Sequence, residues 1–456
     1  MMKEEVKQEL TNHIIPFWNK LRDDENGGFY GYLSFGLELD RNADKGVILH
    51  SRILWFYSNA YMTLKDESLL DYAKHAYEFI KDHCIDYEFG GVYWMMDYKG
   101  QPADTMKHTY NIAFAIYALS SYYRASGDRH ALELAYRLFD DIEKNTLDEY
   151  GYQEAFDRQW NLVDNEALSE NGLKADKTMN AILHLIEAYT ELYLADHNEK
   201  VGERLKFQLG QMRDIVYTPE TNALKVFFDT KFGLVGDIHS FGHDIEATWL
   251  MDRACDVLGD EELKKQFAEM DLKISHNIQN IAIDTDGALM NERENDKIDH
   301  TRVWWVQAEA IVGFINAYQH SGEESFLTSA KGVWEYVKRE IIDPREGSEW
   351  YSEISGEHIP HDYKEIVGAW KCPYHNGRMC MEVINRIHNC WQGWEFAVLS
   401  RVCAERSGRA GACSRLLTNA RPLETHFFGA WRGRSRLCRR SRLRRRYPPL
   451  SHRSKE

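Results

Sequence analysis

The chain has 456 residues, 43% hydrophobic and 28% charged, with 56 Lys+Arg against 72 Asp+Glu for a formal net charge of −16. A chain of this length can bury a sizeable core, and its acidity disfavours binding to nucleic acid or anionic membranes. No run approaches the roughly 20 apolar residues of a membrane span, and Met1-Met2-Lys3-Glu4-Glu5 lacks the apolar core of a signal peptide.

From the N-terminus onward the sequence reads as amphipathic helix, interrupted six times by a turn rich in glycine and aromatics. The turns are Gly27-Gly28-Phe29-Tyr30, Gly90-Gly91-Val92-Tyr93-Trp94, Gly151-Tyr152, Asn222-Ala223-Leu224, Gly287-Ala288-Leu289 and Gly347-Ser348-Glu349-Trp350. Measured from residues 28, 91, 151, 223, 287 and 347, the intervals are 63, 60, 72, 64 and 60 residues. Such regularity is a repeat, and repeated units bury their faces on one another to make one body. Each unit holds two helices and a short aromatic hairpin. The expected fold is therefore all-α: twelve helices in six hairpins, closed into a double-layered (α/α)6 barrel with a cup at its centre.

After the polar N-terminal helix, periodicity predicts helices over 46–65, 67–84, 107–127, 128–146, 176–197, 198–216, 242–257, 259–280, 301–320, 322–342 and 374–400. In 176–197, Met179, Ile182, Leu183, Ile186, Tyr189, Leu192 and Tyr193 share one broad face. Asp128 and Ser321-Gly322 support helix starts. Every second helix is richer in aromatics, His and small residues, as an inner layer would be. Their partners, such as 259–280 and 322–342, carry more Glu and Lys and suit an outer layer.

The composition shifts past residue 400. Residues 401–456 hold 16 Lys+Arg and 3 Asp+Glu, against 40 and 69 in residues 1–400. A catalytic body over 1–400 and a disordered or non-native Arg-rich extension over 401–456 are expected. The eight cysteines, at 84, 255, 372, 380, 390, 403, 413 and 438, form no CxxC pair. Neither a zinc site nor a disulfide framework is expected, and a reduced cytoplasm fits.

Polar side chains within apolar inner helices are informative, because burying them is costly unless they are paired or used. Near the inner-helix starts stand His50-Ser51-Arg52, Tyr110 with Phe114, Asn180 with His184, His243 with Glu246, and His375-Asn376-Gly377-Arg378. Singly, each has a structural reading: a satisfied core histidine, an Arg52 neutralising a buried carboxylate, a helix-face ion pair for Glu246, a wall for Trp304-Trp305. Together they converge on one cup, which favours an active site. Three histidines without a phosphate loop or a cysteine pair suggest proton transfer near neutral pH. No HExxH or comparable pair occurs, so no metal is expected. Glycoside hydrolysis wants two carboxylates across the scissile bond, but Asp244 and Glu246, two apart on a helix, face different ways.

The segments His50–Trp55, Tyr110–Phe114, Asn180–His184, Gly242–Ala247, Trp304–Glu309 and Trp370–Arg378 resemble, in order, the motifs of the N-acylglucosamine 2-epimerase superfamily. The resemblance is strongest to its bacterial branch acting on cellobiose, and it covers most of residues 1–400. It implies cofactor-independent epimerisation at C2 of the reducing-end glucose of β-1,4 disaccharides such as cellobiose and lactose, through a cis-enediolate. It further implies His243 and His375 as the acid–base pair, with Arg52, Asn180 and His184 around O1 and O2. Glu246 would orient His243 or bond a hydroxyl, and Tyr110, Phe114, Trp304, Trp305 and Trp370 would line the sugar site. Neither metal nor cofactor is implied. Aldose–ketose isomerisation of mannose or glucose, N-acetylglucosamine 2-epimerisation and a non-catalytic partner-binding toroid remain alternatives. A cytoplasmic monomer with no nucleic-acid or membrane partner is expected.

Overall fold

Twelve helices alternate between two layers in the computed structural model, which describes residues 2–165 and 173–387. The first half of the chain holds α1 (Met2–Glu9, continued by Leu10–Ile14 and Ile15–Asn19), α2 (Val47–Leu64), α3 (Glu67–Phe79 with the π-helical turn Ile80–Cys84), α4 (Thr109–Ser126), α5 (Arg129–Asn145) and α6 (Met179–Asp196). The second holds α7 (Glu199–Gln211 with Met212–Val216), α8 (Phe241–Leu258), α9 (Glu261–Ile281), α10 (Trp304–Ser321), α11 (Glu324–Tyr336 with Val337–Ile341) and α12 (374–387). Residues 388–400 of the expected last helix and the whole Arg-rich extension lie outside the described residues.

The even-numbered helices form the inner ring. Along α2 and α4 most side chains before the last turn are buried, since neighbours cover one face and an outer helix the other. The outer α5 buries one stripe, Ala131, Leu132, Leu134, Ala135, Leu138, Phe139 and Ile142, and leaves the rest half-buried or exposed. Each of the first five inner helices ends in a left-handed residue: Lys65, Gly127, His197, Gly259 and Gly322. The next residue caps the following outer helix, and Asp66, Asp128, Asn198 and Asp260 each accept a backbone N–H bond there. Gly322, expected at a helix start, instead closes α10, because its φ of 74° suits a C-terminal cap. The ring closes through α12: Gly377 packs on Phe56 of α2, and Arg386 bonds Asn316 of α10. On the outside, α1 reaches the last unit through Trp18 to Glu349 and Glu5 to Trp334.

The six turns return the chain from outer to inner layer through a narrow antiparallel pairing, as at Arg22↔Phe29, Ile85↔Val92, Leu147↔Tyr152, Ile283↔Leu289 and Ile342↔Trp350. The fourth unit uses Tyr217–Thr218 against Ala223–Leu224. A buried cation just before five of the six inner helices, all but α8, clamps the preceding turn. Lys45 bonds Asp23 at 2.7 Å, Lys107 bonds Asp86 at 3.0 Å and Lys177 bonds Asp148 at 2.8 Å. Arg302 bonds Asp284 at 2.7 Å, and Lys371 bonds Glu349 at 2.5 Å.

In the first turn Gly28 has a φ of 66°, and a Cβ there would lie 2.6 Å from His50 Nε2. That nitrogen accepts the Phe29 N–H, while Nδ1 donates to the Gly46 carbonyl, so His50 ties turn to helix. Gly28→Ala is expected to cost about 1–3 kcal/mol, from backbone strain and the displaced imidazole. Urea unfolding measures it, and an unchanged midpoint would contradict this role for the turn.

Candidate active site

The inner helices present their first turns to a single central cavity of about 350 Å3. Arg52, Tyr110, Asn180, His184, His243, Glu246, Trp304, Trp305, Trp370 and His375 all line it. Phe114 does not. It lies beneath, its ring 4.3 Å from the Arg52 guanidinium and 4.8 Å from the His184 ring. Local sequence explains the approach of the aromatic wall. A Cβ on Gly242 would lie 2.7 Å from the Trp305 ring, so the glycine lets Trp305 settle on α8. Trp305 then contacts both imidazoles, 4.7 Å from His243 and 5.5 Å from His375 between ring centroids.

Arg52 is 3% exposed and has no carboxylate within ion-pair distance among the described residues. Its guanidinium donates to the Tyr110 hydroxyl at 2.8 Å and sits against the rings of Phe114 and Tyr374. An unneutralised guanidinium at a buried cavity wall is a device for holding negative charge that develops on a ligand. Several other polar atoms here also lack partners: Arg52 Nε, Asn180 Oδ1, Glu246 Oε2 and Trp304 Nε1 are all buried and unbonded. Buried polar atoms are rarely left so, and a ligand rich in hydroxyls would satisfy them.

Beneath the histidines lies a charge cluster that the sequence reading missed. Arg378 of α12 bonds Glu187 of α6, Glu246 of α8 and Glu309 of α10, the last at 2.8 Å. Tyr374 also donates to Glu187 at 2.5 Å. Glu187 holds His184 Nδ1 at 2.8 Å, and Glu309 holds His375 Nδ1 at 2.8 Å. Trp249 donates to the other Glu309 oxygen at 3.0 Å. His243 is oriented by Ser240, whose hydroxyl meets Nδ1 at 2.7 Å; of the two roles expected for Glu246, orienting His243 or bonding a hydroxyl, the first is absent, since Arg378 engages its carboxylate. Asp244 turns away to His239, as its spacing from Glu246 requires.

Burial, reinforced by His184, holds the His243 imidazole down to about 3. Burial and the nearby Arg378 and Arg52 charges hold His375 well below the usual range, and burial lowers His184 against the pull of Glu187. Burial and the Glu309 charge push Glu246 up to about 8, and burial raises Glu309 against the opposing Arg378. Burial works against Glu187 too, but Arg378 and His184 keep its carboxyl low. At neutral pH the three imidazoles are thus uncharged, able to accept a proton. Glu246, Glu309 and His375 bring potential metal-ligand atoms within 4.8 Å of one another, but Arg378 already bonds both carboxylates and supplies the cation between them.

Comparison with known proteins shows the family. The model of the N-acylglucosamine 2-epimerase (GlcNAc 2-epimerase) family matches residues 18–376. A cellobiose 2-epimerase of Ruminococcus albus is 84% identical over 386 residues, covering 85% of this chain and 99% of that protein. A cellobiose 2-epimerase of Eubacterium cellulosolvens is 45% identical over 400 residues, covering 84% and 98%. The crystal structure of a sugar epimerase from a ruminal bacterium matches with a TM-score of 0.84 at 83% identity, covering 85% of this chain and 99% of that one. With its family motifs gathered around one cavity, the chain belongs to the N-acylglucosamine 2-epimerase family.

Proposed function

We propose that the protein epimerises the reducing-end glucose of β-1,4 disaccharides at C2, turning cellobiose into glucosyl-mannose and lactose into epilactose. The observation that carries this reading is the pair of uncharged imidazoles, His243 and His375, packed on Trp305 in a cavity whose polar atoms await hydroxyl partners. After the hemiacetal ring opens, the C1 aldehyde acidifies the C2 proton, so no redox cofactor is needed. One imidazole removes that proton, the electron pair moves into the C1–C2 bond, and a cis-enediolate forms. A proton then returns to the opposite face of C2. Inversion by two groups requires a base on one side and an acid on the other, the roles assigned to His243 and His375.

Arg52, Asn180 and His184 stabilise the charge that develops on O1 and O2. Tyr110, Trp304, Trp305 and Trp370 form apolar walls for sugar faces, with Phe114 supporting Arg52 and His184 from below. Glu246 bonds a substrate hydroxyl through its free oxygen. The catalytic body is residues 1–400, a reading supported by the 99% of the R. albus protein that 85% of this chain matches. A monomer in a reducing cytoplasm, without nucleic-acid or membrane partner, completes the proposal. In its support, Cys84, Cys255, Cys372 and Cys380 are free and buried, and no helix among the described residues is long and apolar enough to cross a membrane.

The test is NMR of the protein with cellobiose in D2O. Glucosyl-mannose carrying deuterium at C2 is the expected product. A fructosyl end with deuterium at C1 would make the protein an aldose–ketose isomerase, released glucose a hydrolase, and no exchange with a folded sample would overturn the disaccharide reading.

A further inference from the structure

Epimerisation through two imidazoles poses a difficulty here: both are held uncharged, yet one must deliver a proton. The cluster behind His375 offers a way out. Around Glu309, Trp249 Nε1 and Arg378 Nη2 are donors, and the remaining bonded neighbour is His375 Nδ1. A proton on Glu309 therefore has one acceptor to face, and it lies between Oε1 and Nδ1 across 2.8 Å.

Electrostatics calls for such a proton. Glu187, Glu246 and Glu309 are at most 3% exposed and share one bonded guanidinium, Arg378. Fully ionised, the set would bury two uncompensated negative charges, which is far costlier than keeping one carboxyl neutral. Glu187 accepts from Arg378, His184 and Tyr374 and is the best served in ionised form. The proton falls to the Glu246–Glu309 pair, which titrates as a unit. His375 itself faces Arg52 from α2, His184 and Glu187 from α6, Glu246 from α8 and Glu309 from α10, besides Arg378 on its own helix.

We propose that Glu309 and His375 work as one acid–base unit, in which Glu309 is a positioning and proton-storing residue and the imidazole passes its proton on. With the proton on Glu309, His375 carries hydrogen on Nε2 and faces the substrate as an acid. When Nε2–H protonates the enediolate at C2, the N–H electron pair stays on Nε2. Nδ1 takes the Glu309 proton, and a carboxylate is left hydrogen-bonded to a neutral ring of the other tautomer. That product form is a base, as the reverse direction demands. His243, having gained the C2 proton, sheds it to water, and the dyad regains one from water, so no further reactant enters.

This inference rests on the epimerase reading and is tested with it, on the full chain. In D2O, Glu309→Gln is expected to slow epimerisation at least about 100-fold. For whichever epimer His243 deprotonates, loss of the C2 hydrogen to solvent should persist within about tenfold of wild type. Exchange without inversion is the signature, because an amide keeps a hydrogen bond to the ring but has no proton to lend. Glu309→Asp should restore part of the inversion. Equal loss of exchange and inversion, or loss of neither, overturns the proposal. If wild type itself shows no exchange, it is the epimerase reading that fails. Should Glu309→Gln not fold, 15N NMR of histidine-labelled wild type decides. The His375 Nδ1 and Nε2 signals should exchange character together as rising pH takes the proton from the dyad, and a ring fixed in one tautomer overturns the idea.

Discussion

His243→Asn is expected to lower kcat for epimerisation by about 10³–10⁴-fold, with KM within a few-fold of wild type and thermal stability nearly unchanged. His243 is the third residue of α8 and opens onto the cavity. Ser240 engages Nδ1 at 2.7 Å, which leaves Nε2 as the nitrogen available to substrate. Asparagine preserves a polar contact for Ser240 but cannot take a proton near neutral pH, so an interaction used only in the reacting complex disappears. The ring, buried apart from its cavity face, makes no ion pair among the described residues, hence the small effect on stability. The same environment sets the pH dependence. Since the ring is uncharged down to about 3, the wild-type rate should hold as pH falls from about 7 to 5, where an ordinary histidine would be switched off. Steady-state kinetics on cellobiose at several pH values checks both statements. A variant keeping more than about a tenth of wild-type kcat would remove His243 from the reaction.

Much of the architecture was legible because it repeats. The glycine–aromatic turns recur at each passage from outer to inner layer, and the predicted 46–65 and 128–146 helices lie within a residue or so of Val47–Leu64 and Arg129–Asn145. One signal went unused. Lys45, Lys107, Lys177 and Arg302 each stand two residues before an inner helix, so the clamp recurs with the turns in every unit but the one before α8. The cavity residues stood out because a His, Arg or Asn in an apolar first turn demands an explanation. Glu187 and Glu309 did not, because a glutamate farther into a helix reads like a solvated one. Only closure of the ring, which brings α6, α8 and α10 onto Arg378 of α12, shows them to be buried. Spacing also misled: His243 and Glu246 share a helix face, but Arg378 from another helix competes for the carboxylate and Ser240 takes the ring. Competition between distant partners is a tertiary fact that local periodicity does not contain.

Arg378→Met should have the largest effect on stability, about 3–5 kcal/mol, along with loss of activity. Methionine approximates the length of the side chain, so the change is mainly the removal of the cation shared by Glu187, Glu246 and Glu309. The cost depends on pH with a definite sign. Glu246 titrates at about 8 in the folded protein against an ordinary 4.5, so the folded state binds more protons than the unfolded state between those values. Wild-type stability from this group therefore falls as pH rises through that window. Glu187 is the opposite case: its carboxyl is held low, so its contribution is present above the unfolded value and lost on acidification. Without Arg378 the Glu187 gain shrinks, and Glu246 and Glu309 are pushed further up. The deficit of the variant against wild type should then widen as pH climbs from about 5 to 8 and narrow on acidification, as the carboxyls take up protons in place of the missing cation. Urea unfolding of both proteins at three or four pH values across that range reads the trend directly. Adding Glu246→Gln should recover part of the loss, because it removes one of the stranded charges. A deficit constant with pH would mean that Arg378 matters for its packing on Trp249 and Tyr374 and not for its charge.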